Sequence, residues 1–196
     1  QVADGWTSAE TPAGRSVPNY SVGFLFGGDE ATVGPRFRAL IKHWTGLDGN
    51  VSMRPGQVQL IYRSALYYFL RTLGLAAPGE TKRVPDALWR APREAVIGFL
   101  QGMFTADGTV NVSQFKKSCS VRLAGSNRPL LEDVQRLLLN LGIVSKLRLR
   151  RVAGTKAMPD GHGGTKAYAY QAQYELILDK ENRDRFVRTV GFLTPA

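Results

Sequence analysis

The 196-residue sequence has one cysteine, Cys119, and two histidines, His43 and His162. That scarcity excludes a disulfide framework and almost any Cys/His zinc site. It also fits a reducing compartment, so the expected location is cytoplasmic, nucleoid-associated when the protein is on DNA. No apolar run approaches the ~18 residues of a membrane span and nothing near Gln1 reads as a secretory signal, so no membrane partner is expected. Acidic residues are the minority charge: 16 Asp and Glu stand against 26 Lys and Arg, giving net +10. The excess is uneven, with 10 basic and 7 acidic residues in 1–92 and 16 and 9 in 93–196. A polyanion is the first partner such a surface suggests, although a merely soluble basic protein has the same balance. Hydrophobic residues at 43% and charged residues at 21% are ordinary for a globular chain and exclude disorder as its main state.

The chain repeats itself. Ala3-Asp4-Gly5 and Ala106-Asp107-Gly108 each precede a strand-like stretch. Val22–Gly28 precedes a helix-like segment running to Thr45, as Ser120–Ser126 precedes Arg128–Leu141. Phe69-Leu70-Arg71-Thr72-Leu73-Gly74 closes the first half and Phe186-Val187-Arg188-Thr189-Val190-Gly191 the second. The long polar stretch 152–165, with its glycines, Pro159 and His162, absorbs the drift in spacing and reads as a mobile or functional loop. A duplication this ordered predicts two similar lobes about a pseudo-two-fold axis, 1–76 and 93–196, joined by a linker at 77–92. The opening Gln1-Val2-Ala3-Asp4-Gly5 reads like the middle of an element, so the chain is expected to be a piece of a longer polypeptide.

Each half reads as helix, two strands, helix, two strands, helix, an α+β fold with antiparallel sheets. In the first, Trp6–Glu10 and Ser21–Phe26 are strands. A helix enters after Asp29 and Glu30 with Pro35 in its first turn and Phe37, Leu40, Ile41 and Trp44 at core spacing. Val51–Met53 and Val58–Tyr62 form a hairpin around Arg54-Pro55-Gly56, and Ser64 caps a final helix carrying Leu66, Phe69, Leu70 and Leu73 inward. In the second half Leu130, Val134, Leu137, Leu138 and Leu141 line the middle helix.

The segment 93–108 is apolar nearly all round and is expected to be buried. Gly98, Gly102 and Ala106 fall on one stripe; each helical glycine costs about 1 kcal/mol relative to alanine, which predicts close approach of another helix. Asp107 ends this helix, where the helix dipole disfavours a carboxylate. Alone it would read as a solvated residue before a Gly108 cap. The repeat pairs it with Asp4, and two carboxylates brought together call for a cation: hard oxygen ligands suit Mg²⁺ or Mn²⁺, which can activate water for phosphodiester hydrolysis.

Phe99–Gly108 resembles the second signature helix of the LAGLIDADG homing endonucleases, particularly those embedded in inteins. Gln1–Trp6 resembles the tail of the first signature, and Lys82-Arg83-Val84-Pro85 is similar to the family's Lys-x-(Ile/Val)-Pro block. The resemblance implies a monomer of two pseudo-symmetric αββαββα lobes. Its signature helices would lie at the lobe interface and its antiparallel sheets would form a saddle on a long asymmetric site in double-stranded DNA. It implies Asp4 and Asp107 as metal-binding catalytic acids, Ala3 and Ala106 as carbonyl donors to the metal, and Lys82 as the catalytic basic residue that polarises water or phosphate. A second lysine is expected beyond Pro195. The first-residue Cys or Ser and terminal His-Asn that splicing requires do not stand at the ends of this sequence.

Strand patterning points to DNA independently. Lys146, Arg148 and Arg150 alternate with Leu147 and Leu149; Gln57 and Gln59 alternate with Val58 and Leu60; Gln171 and Gln173 alternate with Ala172 and Tyr174. Such ribbons fit the major groove, where Arg pairs with guanine and Gln with adenine. Arg122 and Lys116 complete the candidate contact set. The reading is a site-specific, metal-dependent DNA endonuclease, the endonuclease part of an intein. The alternatives are a non-catalytic or maturase-like relative that binds DNA, and, less well matched to a wide saddle, an RNA-binding protein. His43, Cys119, Trp44, Trp89 and the Tyr67-Tyr68 pair read as structural, and His162 with Asp160 as a poor site on a flexible loop.

Overall fold

The computed structural model describes residues 5–10, 18–75, 81–113, 115, 118–159, 161 and 163–193. Along the chain run β1 (Gly5–Glu10), β2 (Asn19–Gly27), a 3-10 turn (Gly28–Thr32), α1 (Val33–Thr45), β3 (Asn50–Arg54), β4 (Gln57–Arg63) and α2 (Ser64–Thr72). After a 3-10 turn (Asp86–Arg90) come α3 (Arg93–Asp107), β5 (Gly108–Ser113), β6 (Ser118–Gly125), α4 (Arg128–Asn140) and β7 (Lys146–Arg151). The chain continues through β8 (Gly154–Pro159), β9 (Thr165–Tyr170), β10 (Gln173–Asp179) and α5 (Lys180–Thr189). The fold is α+β, and its sheets are antiparallel.

The sheet orders are β1-β2-β4-β3 and β5-β6-β10-β7, the same arrangement twice. The difference is an added two-stranded ribbon, β8-β9, between β7 and β10. The stretch expected to be a loop over 152–165 therefore contains β8 and the start of β9. Thr155 pairs with Ala169 and Lys156 with Tyr168 in a regular ladder, despite the glycines and Pro159 that argued for a loop. Gln171 lies in the connection before β10 and does not share a strand with Gln173.

Two compact units follow. The first comprises the described parts of 1–78, 85–107 and 192–196, and the second those of 79–84 and 108–191. Although α3 opens the second repeat in chain order, it packs within the first unit, and the Lys82 block packs within the second.

In the first unit Val22 and Phe24 of β2, Val58, Leu60 and Tyr62 of β4, Ile41 of α1, and Leu66 and Leu70 of α2 form the core. Alternation along β4 sends Val58, Leu60 and Tyr62 inward and Gln57, Gln59 and Arg63 outward. Gly56 turns the β3–β4 hairpin at φ +71°, and Gly46 ends α1 at φ +72°, conformations that glycine adopts without strain. The core spacing read in α1 holds for buried Ile41 and half-buried Phe37, but Leu40 and Trp44 are exposed. Trp44 instead rests edge-on against Phe69, centroids 4.8 Å apart, on a surface outside the core. Ser64 is the first residue of α2, and its hydroxyl makes no cap there; Arg63 holds the cap position.

In the second unit α4 and α5 lie against β6 and β10. Leu130, Leu131, Val134, Leu137 and Leu138 of α4 are buried, as are Val121, Leu123, Leu176 and Leu178 of the sheet and Phe186 of α5. Asn127 caps α4 by accepting from the Leu130 amide at 3.0 Å, with Pro129 in the first turn where its missing N–H costs nothing.

Candidate nucleic-acid interface

Directly paired residues of an antiparallel ladder share a face, so the register fixes which side chains stand together. With the cores taking Val22, Leu60, Val121 and Leu176, the opposite faces are open to solvent or to a ligand.

On the first sheet that face carries Trp6, Gly23, Ile61 and Asn50 in one row across β1, β2, β4 and β3. The next row is Leu25, Gln59 and Ser52, followed by Gly27, Gln57 and Arg54. The Trp6 ring lies over Gly23, and a Cβ there would collide with it at 2.0 Å. Gln57 and Gln59 thus share the outward face, as the strand pattern predicts, in successive rows whose one charged member is Arg54.

On the second sheet the corresponding rows are Thr109, Arg122, Ile177 and Lys146, then Ala124, Glu175 and Arg148. A β-bulge at Gln173/Tyr174 follows: Arg151 pairs with Gln173 and Leu149 with Tyr174, leaving Arg150 as the extra residue. Lys146, Arg148, Arg150 and Arg122 are therefore gathered on one side of one sheet. Lys116 lies outside the described residues.

The gathering has a centre that the sequence reading missed. Glu175, on the middle strand and only 3% exposed, takes Arg148 Nη2 at 2.6 Å and Arg148 Nε at 3.1 Å. Arg122 Nη1 approaches both of its oxygens at 3.3 and 3.4 Å, and Arg150 Nη1 stands 3.9 Å away. Arg122 Nε also donates to Ser120 Oγ at 2.9 Å. Burial pushes the Glu175 carboxyl up, but the hydrogen bonds and charges of Arg148 and Arg122 outweigh it and hold the group below the usual carboxylate range. Lys146 pairs with Asp179 at 3.0 Å on the same face. Beside the sheet, Arg151 stacks over the Tyr170 ring at 4.4 Å.

The acid that the motif singles out, Asp107, is exposed at the end of α3, and β5 begins at the next residue. Gly108 has no left-handed φ, so it opens the strand rather than capping the helix. Contrary to the expectation of a buried helix, α3 buries only Leu100, Met103 and Phe104. The Gly98–Gly102 stripe meets no atom within 4 Å of an added Cβ among the described residues. Close approach of a second helix is thus not seen there, and Asp4 and Ala3 lie outside the described residues. Ala106, the expected carbonyl donor, is half-buried. The last turns of α3 are tied down by Thr105, whose Oγ1 donates to the Gln101 carbonyl at 2.7 Å and accepts from the Leu193 amide at 2.9 Å. Among the described residues no group of three or more His, Cys, Asp or Glu side chains comes together as a metal cluster.

Lys82 belongs to a clamped segment. Its carbonyl accepts from Asn127 Nδ2 at 2.8 Å, while Arg83 Nε and Nη2 fork onto Asp133 at 2.6 and 2.7 Å. The Val84 amide donates to the same carboxylate at 3.3 Å. Asp133 is 2% exposed, a buried acid on an otherwise apolar helix face, and that anomaly is the sequence signal that could have found it.

Residues 94–191 match the family model for a LAGLIDADG-like domain. Over 153 residues, 76% of this chain, the sequence is 31% identical to the ribonucleoside-diphosphate reductase NrdEB subunit alpha of Bacillus subtilis (strain 168), of which the match spans 14%. Over 176 residues, 89% of this chain, it is 25% identical to a DNA polymerase of Thermococcus hydrothermalis, spanning 10% of that protein. The chain therefore corresponds to a small part of these curated relatives. The homing endonuclease I-DmoI, solved in complex with DNA and Mn, shares the fold at a TM-score of 0.63 and 20% identity, over 97% of this chain and 90% of that one. With its repeated sheet order and signature segment, the chain belongs to the LAGLIDADG family.

Proposed function

We propose that the chain is the DNA-cleaving part of a mobile insert: a divalent-metal-dependent endonuclease that recognises a long asymmetric duplex as a monomer. The observation that carries this reading is the second sheet's outward face, where Arg122, Lys146, Arg148 and Arg150 stand together on a fold that I-DmoI uses on DNA. The major groove admits a two-stranded antiparallel ribbon, which β10 and β7 can supply; the arginines can fork onto guanine edges while lysine neutralises phosphates. Gln57, Gln59 and Gln173 provide a more neutral contact set suited to adenine edges.

The intein setting is supported by the relatives. A reductase and a polymerase have unrelated chemistry, yet each matches this chain over a minor fraction of its length. A segment inserted into different hosts produces that pattern. Such a protein would act in the cytoplasm, where its host gene lies.

The donor chemistry fits a hard cation. The Asp107 carboxylate and the Ala106 carbonyl offer only oxygen, and the family resemblance adds Asp4 and Ala3. A bound Mg²⁺ or Mn²⁺ would supply stabilisation of the phosphorane-like charge and a lowered water pKa. Asp107 and Asp4 would hold the ion, Lys82 would offer its ammonium to water or phosphate, and the arginine face would fix the duplex.

The test is incubation of the full-length protein with a host gene from which the insert's coding sequence has been removed, in Mg²⁺ and in EDTA. Metal-dependent double-strand cutting near the rejoined insertion point is expected. Tight binding without cutting would favour a non-catalytic DNA-binding relative.

A further inference from the structure

A buried glutamate in the middle of a DNA-facing sheet is an expense that phosphate binding alone does not justify, because its charge repels the duplex. The register shows what it replaces. Gln59 of β4 pairs with Leu25 and Ser52; Glu175 of β10 pairs with Ala124 and Arg148. The row beside each carries Ile61 with Gly23 in the first sheet and Ile177 with Arg122 in the second. In matching rows, then, Gly23, Gln59 and Ser52 are neutral where Arg122, Glu175 and Arg148 are charged. The carboxylate occurs in the sheet that holds the arginines, and two neighbouring strands contribute those arginines to it.

We infer that Glu175 is a specificity-determining positioning residue: it touches no base, but orients Arg122 and Arg148 so that their remaining N–H edges are presented to base pairs in fixed planes. The inference rests on the reading of this face as the duplex-binding surface. An unrestrained arginine loses much rotamer freedom on forming a forked contact and reaches any nearby phosphate equally well. Arg148 is held through both Nε and Nη2, and Arg122 through Nη1 to Glu175 and Nε to Ser120. Such restraint fixes a side chain's reach before DNA arrives. The same carboxylate cancels part of the local positive charge and thereby lowers affinity for arbitrary sequence. Selectivity is a difference between two affinities, and Glu175 works on both.

The experiment uses the full-length protein in Ca²⁺, with two probes: a 30-base-pair duplex of arbitrary sequence and a pool of randomised duplexes. Glu175→Gln installs the residue that the first sheet has at 59. It is expected to bind the arbitrary duplex several-fold more tightly, with a log K against log salt slope steeper by about 0.9. From the pool it is expected to enrich a motif with weakened guanine preference at two or more positions. Glu175→Asp keeps the charge but shortens the reach; it should weaken the motif while leaving the salt slope unchanged, and it decides the matter if Glu175→Gln fails to fold. Arg148→Ala distinguishes the two levels of the reading. If it leaves slope and motif unchanged, the face does not bind DNA and both readings fall. If it changes them while Glu175→Gln and Glu175→Asp enrich the wild-type motif undiminished, the duplex-binding face stands and the role of Glu175 is overturned.

Discussion

The two sheets have one topology and two electrostatic characters. Both place two inner strands between two edge strands, and both pack two helices on one side. The first presents Gly23, Gln59, Ser52 and Asn50 where the second presents Arg122, Glu175, Arg148 and Lys146. Packing requirements preserve the inward alternation, since a substitution there opens a cavity or forces strain, whereas outward positions can change sign at little cost to stability. The two repeats therefore share a scaffold and differ on their outer faces.

One acid in each unit shows two ways of holding a carboxylate. Asp133 is buried under the Arg83 fork and the Val84 amide, whereas Asp48 holds Arg38 and Lys42 at 2.7 and 2.8 Å in the open. The hydrogen bond from Lys42, then that from Arg38, lowers the Asp48 pKa without enclosing it. Asp133→Asn is expected to cost about 2 kcal/mol in urea denaturation. That is less than a fully buried pair would lose, because Arg83 stays half in water. Asp48→Asn should leave the denaturation midpoint nearly unchanged. Equal losses from the two would erase the distinction between a clamp and a surface pair.

A smaller effect sharpens the contrast between the faces. Replacing Lys146 and Arg148 with Ala should reduce the slope of log K against log salt by about one unit for each positive charge removed from the duplex-binding face. Gln57→Ala with Gln59→Ala should lower affinity for the preferred sequence and leave the slope where it was. A slope change from the glutamines, or none from the cations, would break the assignment of charge to the second sheet.

Much of the scaffold was legible in sequence because repetition and strand alternation are local signals. The Val58–Leu60–Tyr62 alternation and the apolar row of α4 appear where those patterns place them. What escaped was non-local or compositional. Glycines and Pro159 hid the β8–β9 ribbon, whose stability comes from cross-strand pairing that composition does not report. Leu40 and Trp44 obey helical spacing but stay exposed, because spacing alone does not report what covers a position. Glu175 reads as one acid in an apolar strand until the register sets it between Ala124 and Arg148. Asp133 likewise acquires its meaning from Arg83, 50 positions away. Of the acidic pair that the signatures imply, Asp107 is placed at the end of α3, and Asp4 lies outside the described residues.

Cleavage through Asp107 is the claim on which the proposed activity depends, and Asp107→Asn tests it most directly. The substitution conserves volume at an exposed helix end, and circular dichroism beside the assay checks that the fold is kept. Binding and cutting are measured side by side on the rejoined host-gene duplex in Mg²⁺, with full-length protein. The account predicts duplex affinity equal to or tighter than wild type and a cleavage rate lower by orders of magnitude. Undiminished cleavage by Asp107→Asn would contradict it.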